Sequence, residues 1–354
     1  MNLKTFAAVT ALLAGALALS SPVLAQSSPP GKPSGNPPEV SRDAPVSLGK
    51  PTPIALPKVD PETLNRDLGD VTTADNYGTV SISKDGTVTE EAASDSLRAI
   101  LEADSPGERG NGAAQLTSGT DDRKQITDSK DYPFSAVGWL VMQNQKDGWG
   151  SCSAALIGPA LVITAAHCVY DHWNGGWQKE VYFIPGALSD DFDNAPYGIY
   201  SWTDMHVVQG YISNFDGENY GSAMPWDLAT IELSVPVGND VGWLGYKVDA
   251  KGNWDANILG YPADKTSGTM WYSACKVTDD NYKGLSPAET GNTFWHTCDT
   301  FSGSSGSSIW EVADDAPYVR GINVAEDIGE TAQYNYATML NEANFAWVNQ
   351  YNAQ

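Results

Sequence analysis

From about Ser118 onward the chain is a succession of short apolar runs, each interrupted by turn residues before a long helix could form. Ala136–Val141, Ala160–Thr164, Glu180–Ile184, Leu228–Val235, Ala256–Tyr261 and Tyr318–Val324 are rich in β-branched, aliphatic and aromatic side chains. Gly, Asn, Asp and Pro separate them. Such side chains fit a pleated, half-buried surface, and the separators are the residues that tight turns require. Many short strands at this spacing indicate an all-β sandwich or barrel rather than alternating βαβ units. Roughly 220 residues of this texture are enough for two small barrels side by side. Only about Asn341 to Tyr351 reads as an amphipathic helix, and no internal repeat is visible.

The preceding third of the chain has a different character. Lys4 leads into an apolar run from Phe6 to Leu19, too short for a stable membrane-spanning helix. Pro22 and the small-residue end Val23-Leu24-Ala25 then give the pattern of a secretory signal, residues 1–25, cleaved near Ala25–Gln26. Gln26 to about Pro61 is dense in Pro, Gly and Ser and is expected to be disordered or extended. Val71 to Ala103 shows some alternation (Val80, Ile82, Val88) and a helical patch around Leu97–Leu101. Beyond the signal, Tyr77 is the only aromatic residue before Tyr132, and all 12 tryptophans lie at Trp139 or later. A stretch so poor in large side chains builds little core of its own. Residues 26–117 are therefore expected to be a largely unstructured propeptide, with a plain linker as the alternative.

Charge and cysteines narrow the setting. The chain has 354 residues, with 44 Asp and Glu against 20 Lys and Arg, a formal net charge of −24. That balance argues against a nucleic-acid or anionic-membrane partner, since both call for a basic footprint. The four cysteines, Cys152, Cys168, Cys275 and Cys298, all follow the signal. An even set in an exported chain reads as disulfides; three connectivities are open, and the sequential pairs Cys152–Cys168 and Cys275–Cys298 are the expected ones. No Cys-x-x-Cys or paired-His spacing suggests zinc, and no EF-hand-like spacing suggests calcium.

The stretch Cys298 to Ser308 is crowded with glycine and small hydroxyl residues between strand-like runs. Ser305 alone among its serines has glycine both two positions before (Gly303) and one after (Gly306). That pattern permits a strained turn exposing one hydroxyl, with the N–H groups of Gly303 and Ser305 free to bind a developing oxyanion. A serine hydroxyl needs a fixed imidazole to take its proton. Of the four histidines, His167 closes the apolar run Ile163-Thr164-Ala165-Ala166 beside Cys168 and is the expected base. His172 and His206 are expected in loop or surface roles, and His296 in packing. A buried carboxylate should orient the base. Asp227 opens the alternating run Leu228–Leu233 and fits better than Asp204 or Asp216, which sit among polar turn residues.

The order His167, Asp227, Ser305 resembles that of the chymotrypsin-like serine endopeptidases, and more closely the bacterial glutamyl endopeptidases. The resemblance covers about Gly119 to the C-terminus. It rests on Gly119–Arg123, which looks like the start of a mature enzyme, on Thr164–Cys168, Pro236–Gly242 and Gly260–Thr266, and on Asp299–Ser307. It implies two six-stranded antiparallel β-barrels, about 128–238 and 239–340, with a C-terminal helix at 341–351 and the site between the barrels. It also implies activation by loss of a prosegment. Ser304 stands where trypsin-like enzymes have an aspartate that pairs with the new N-terminus, as in the glutamyl branch. Thr300 matches a residue of that branch that binds the substrate carboxylate, whereas Asn323 stands where the branch has a histidine. Asp299 occupies the position of the trypsin pocket acid and would suggest Lys or Arg preference, although glutamyl enzymes also carry Asp-Thr there.

The expectation is a secreted serine endopeptidase, extracellular or periplasmic. It would be a monomer acting on proteins or peptides, held by its own propeptide before activation, without cofactor, metal, nucleic acid or membrane anchor. Its side-chain preference stays open between Glu/Asp and Lys/Arg. The alternative is a catalytically silent, protease-like binding protein.

Overall fold

The computed structural model describes residues 27–34, 48–59, 73–103, 121–217, 220–282, 292–327 and 334–352. The signal expected at 1–25 and Gly119 and Thr120 lie outside these residues. Among the described residues no helix is long and apolar enough to cross a membrane.

Six strands form a closed antiparallel barrel: β7 (Val137–Gln143), β8 (Trp149–Leu156), β9 (Leu161–Thr164), β12 (Glu180–Pro185), β13 (Tyr200–Val208) and β14 (Ala229–Leu233). Their order is β12-β7-β8-β9-β14-β13, and pairing of β12 with β13 closes the ring. A small hairpin, β10 (Tyr170–Asp171) with β11 (Gly176–Trp177), projects between β9 and β12. Inward-facing aliphatic and aromatic side chains fill the barrel; Leu140, Val162, Phe183, Met205 and Ile231 share one face by register and are fully buried.

The second unit is built from β15 (Gly245–Lys247), β16 (Trp254–Gly260), β17 (Trp271–Val277), β18 (Thr293–His296), β19 (Ser308–Ala313), β20 (Ala316–Asp327) and β21 (Asn335–Met339). Pairings run β17-β16-β19-β20-β21-β18. Here the expectation of a second six-stranded barrel needs a refinement, because among the described residues no ladder joins β17 to β18. The Cys275–Cys298 disulfide (Cα–Cα 4.8 Å) spans that seam instead, supported by the bond from Asp299 N–H to Ser273 Oγ (2.9 Å). A covalent staple closes the ring. Both expected disulfides are present, and the first pair, Cys152–Cys168, has Cα atoms 6.2 Å apart.

Beneath this sheet Arg320 is buried against Asp249, to which it donates, and reaches Glu311 at 3.1 Å. Tyr282 Oη donates to Asp249 Oδ2 (2.8 Å), Lys251 N–H to Oδ1 (3.0 Å), and Trp254 supplies a face to the guanidinium at 4.4 Å. Burial raises the Asp249 pKa while Arg320 opposes the rise.

The N-terminal residues depart most from expectation. Instead of being largely unstructured, their described parts dock on both units. β1 (Ser27–Ser28) pairs with β15, β2 (Thr52–Pro53) with β8, and β3 (Lys58–Val59) with β20. The hairpin of β4 (Thr79–Ser83) and β5 (Val88–Glu91) extends the first sheet beyond β13. Short β6 (Lys124–Gln125) pairs with β17. The helix Asp95–Ala103 follows the hairpin. Poverty in large side chains does not leave these residues unstructured, because they need no core of their own. Leu56, Val59, Tyr77, Val80 and Leu97 are buried in surfaces that the barrels provide. Full burial of one Leu or Val side chain stabilises by about 1.5–3 kcal/mol, and sheet pairing satisfies the backbone. The C-terminal helix, Glu342–Asn352, seals the contact: Trp347 Nε1 (2.9 Å) and Tyr351 Oη (2.8 Å) both donate to Thr79 Oγ1.

Replacing Arg320 with Met would leave Asp249 buried without its cation. Urea titration is expected to show a loss of about 3–5 kcal/mol, because an unpaired buried charge costs far more than the intact pair contributes. A loss within about 0.5 kcal/mol would mean that Tyr282 and Lys251 suffice.

Candidate active site

His167 lies in the helical turn Ala166–Val169, directly after β9. β9 pairs with β14 in the register Thr164↔Ala229, which sets Asp227, two residues ahead of Ala229, beside the turn. Asp227 follows the 3-10 turn Met224–Trp226, whose Pro225 favours the tight geometry. His167 N–H donates to Asp227 Oδ1 (2.8 Å), and His167 Nδ1 donates to Oδ2 (2.6 Å). With Nδ1 carrying the proton, the ring is in the tautomer that leaves Nε2 as an acceptor.

A third donor was not foreseen. Tyr220 Oη also donates to Asp227 Oδ2, and its ring stands edge-on to His167 with centroids 6.1 Å apart. Burial, then the Asp227 charge, holds this phenol protonated far above its ordinary range. Tyr220 is separated from Asp227 by Gly-Ser-Ala-Met-Pro-Trp, and no periodicity or spacing singles it out.

Ser305 sits between two glycines in left-handed backbone, Gly303 (φ +90°) and Gly306 (φ +79°). A Cβ on Gly306 would stand 2.1 Å from Thr164 Oγ1, and one on Gly303 would stand 2.5 Å from the Tyr261 carbonyl. Glycine is required at both. Ser153 of β8 clamps the loop: its N–H donates to the Ser305 carbonyl (2.8 Å) and its Oγ to the Gly303 carbonyl (2.9 Å). Its neighbour Cys152 is bonded to Cys168, next to His167. Two adjacent residues of β8 thus tie down both the histidine turn and the serine loop. His167 Nε2 and Ser305 Oγ are buried, and neither has a hydrogen-bond partner among the described residues.

The pocket candidates fall into two groups. Asn323 and His296 are in contact, His296 Nε2 donating to Asn323 Oδ1 (3.0 Å). Asn323 Nδ2 in turn donates to the Ser304 carbonyl (3.1 Å), its carbonyl accepts Gly306 N–H (2.8 Å), and its N–H donates to the Ser307 carbonyl (2.9 Å). Asn323 therefore braces the serine loop from behind. Thr300 Oγ1 is buried and unpaired among the described residues. Asp299 stands apart: its Oδ2 accepts the Asp122 N–H (3.0 Å), so the carboxylate anchors the chain leading into β6. Burial raises its pKa, and the Asp122 bond opposes the rise.

His206 departs from a surface role, being buried between Ser81 (2.7 Å), Glu232 (3.3 Å) and the Tyr351 ring, stacked at 4.1 Å. The β4–β5 hairpin and the C-terminal helix supply that cover. His172 stacks on Phe215 at 4.0 Å and reaches the Tyr211 carbonyl (3.1 Å). Among the described residues two sets of three metal-capable side chains lie together, Cys152/His167/Cys168 and Cys275/His296/Cys298. In each set two of the three are disulfide sulfurs with no thiolate to offer a metal.

A family model described as Trypsin matches residues 126–348. The chain belongs to the trypsin family. This trypsin-family chain is 32% identical over 196 residues to a glutamyl endopeptidase of Bacillus licheniformis, covering 54% of each chain. It thus spans about half the length of that relative. A protein of Bacillus subtilis named extracellular metalloprotease is 31% identical over 236 residues, 61% of this chain and 68% of that one. Among solved structures, a Glu endopeptidase in complex with MPD superposes with a TM-score of 0.54 at 24% identity, over 68% of this chain and 100% of that one. The protease Anisep from Arthrobacter nicotinovorans gives 0.51 at 19% identity, over 66% and 100%. At these identities the two structures share the fold, a mostly β, chymotrypsin-like architecture with a C-terminal helix.

His296 provides a pH test of the site's packing. Burial pushes its pKa down to about 4, with the Asn323 bond opposing the shift. The folded chain therefore refuses a proton that the unfolded chain, with a His pKa near 6.5, accepts. Stability should be fully present above about pH 6.5 and fall as the pH drops toward about 4. Over that window the native chain should lose on the order of 3 kcal/mol more than His296→Gln, measured by urea titration at each pH. Parallel profiles would refute the assignment.

Proposed function

We propose that this trypsin-family chain is a secreted serine endopeptidase that hydrolyses peptide bonds through an acyl-enzyme. The observation that carries this reading is the His167–Asp227 clamp, with a free Nε2, joined through the Cys152–Ser153 dipeptide to the glycine-flanked turn of Ser305. On this scheme Ser305 Oγ attacks the substrate carbonyl while His167 Nε2 takes its proton and then returns it to the leaving amine. Asp227, held by three donors, keeps the imidazole oriented and stabilises its cationic form. The Gly303 and Ser305 N–H groups receive the tetrahedral oxyanion. The two disulfides suit an oxidising compartment, and a signal cleaved near Ala25–Gln26 would deliver the chain there.

The expected result for Ser305→Ala is complete loss of labelling by a serine-directed fluorophosphonate and of peptide hydrolysis, with secretion and both disulfides retained. Undiminished hydrolysis in that variant would show that another residue is the nucleophile. A native chain, freed of residues 26–117, that took up no label would favour the silent binding protein instead.

For specificity we propose a polar pocket built from Thr300 and the Asn323 amide, with Asp299 engaged in anchoring Asp122. The resemblance to glutamyl endopeptidases favours Glu or Asp before the scissile bond. The neutral amide supplies a hydrogen bond without a cation, so the preference should be weaker than a charged partner would give. Peptide-library profiling is expected to rank Glu and Asp above Lys and Arg. Dominant cleavage after Lys or Arg would restore Asp299 as the pocket acid.

A further inference from the structure

Residues Pro51–Val59 cross the groove between the two β-units, over the serine loop. At one flank β2 pairs with β8 in parallel, Thr52↔Gly150 and Pro53↔Ser151, and Ile54 N–H donates to the Ser151 carbonyl (2.9 Å). At the centre the Ile54 carbonyl accepts the Gly303 N–H (2.9 Å), one of the two groups assigned above to the oxyanion. At the other flank β3 pairs with β20 in parallel, Lys58↔Glu326 and Val59↔Asp327, and Glu326 N–H donates to the Pro57 carbonyl (3.1 Å). Leu56 and Val59 are buried to 1% and 0%, whereas Ala55 and Lys58 face solvent. Beneath this segment Ser305 is 0% exposed.

The direction of the segment decides what it can do. With the Ile54 carbonyl on Gly303, the leaving nitrogen of that peptide bond belongs to Ala55, on the side that continues toward β20. The proton for a leaving nitrogen must come from His167. His167 is fixed on the opposite flank, because Cys168 is bonded to Cys152, the neighbour of Ser151. A chain of the opposite sense would keep its carbonyl on Gly303 and turn its leaving nitrogen toward β8 and His167. We infer that the cleft is also a binding site for an extended, proline-interrupted peptide lying backwards to the productive direction, and that residues 51–59 are its built-in, uncleavable occupant.

The sequence suits that role. Pro51, Pro53 and Pro57 bias Lys50, Thr52 and Leu56 toward extended backbone, so little conformational freedom is lost on docking. Leu56 and Val59 supply the apolar anchors, and the Ile54 and Pro57 carbonyls take two N–H groups of the cleft. The ligand class is thus an extended peptide with aliphatic anchors at that spacing, flanked by prolines.

The inference rests on the proposed serine chemistry, and its test separates the two. Fluorophosphonate labelling is followed on the full-length band of three full chains: native, Leu56→Asp/Val59→Asp, and Ile54→Pro, which loses the N–H to Ser151 and the side chain that packs over Gly150. Labelling is expected about tenfold faster or more in the double variant and severalfold faster in Ile54→Pro, as the open population rises. Ile54 is only half-buried, so this variant keeps the test if the double variant fails to fold. A synthetic peptide of residues 50–59, added to the faster-labelling variant, should restore slow labelling and be recovered uncut. Equal labelling in all three chains overturns the inference and leaves the serine chemistry standing. Cleavage of the peptide after Ile54 overturns it too, since that requires forward binding. No labelling in any chain overturns both.

Discussion

The arrangement depends on two neighbouring residues of one strand, Cys152 and Ser153. The first is covalently bonded beside His167; the second donates to the carbonyls of both Gly303 and Ser305 and accepts the Tyr261 N–H at 2.9 Å. Three of the four contacts are hydrogen bonds fully shielded from water, where a lost partner leaves a costly unsatisfied group. Groups separated by well over a hundred residues in sequence are thereby held against a common rigid strand. Fixing groups in one geometry removes part of the entropic barrier to any reaction between them.

Around this strand the two units are closed by different means. The first ring is completed by its own β12–β13 ladder, and the second by a disulfide across β17 and β18. Asn323 then links the second ring to the serine loop through three hydrogen bonds, and His296 orients that amide. The residue expected to read the substrate is also the one that shapes the turn beside it. Substitutions at Asn323 will therefore alter turn geometry together with pocket polarity, and the two effects share one side chain.

How much of this was legible in the sequence follows from the range of each constraint. The Ser305 turn was legible because positive φ at Gly303 and Gly306 is a local demand that only glycine meets cheaply. His167 and Asp227 were legible because each stands at the threshold of an apolar strand. Tyr220 was not, since its contact arises from a loop returning over Asp227. Nor was the burial of His206, which depends on cover from residues 79–91 and from Tyr351, at opposite ends of the chain. The N-terminal residues misled for the same reason. Composition measures whether a segment can bury itself, and this one borrows surfaces that the rest of the chain has already built.

The sharing of Thr79 between Trp347 and Tyr351 carries a consequence for processing. Strand β4 is woven into the edge of the first sheet and locked beneath the last helix. If the chain were cut after these N-terminal residues, their strand pairings would still hold them to the rest of the molecule. Scission and separation would then be two events: the first chemical, the second the dissociation of a non-covalent complex held by the β4–β13 ladder together with the pairings of β1, β2 and β3. In such a molecule the time of release is encoded in an off-rate rather than in a bond cleavage.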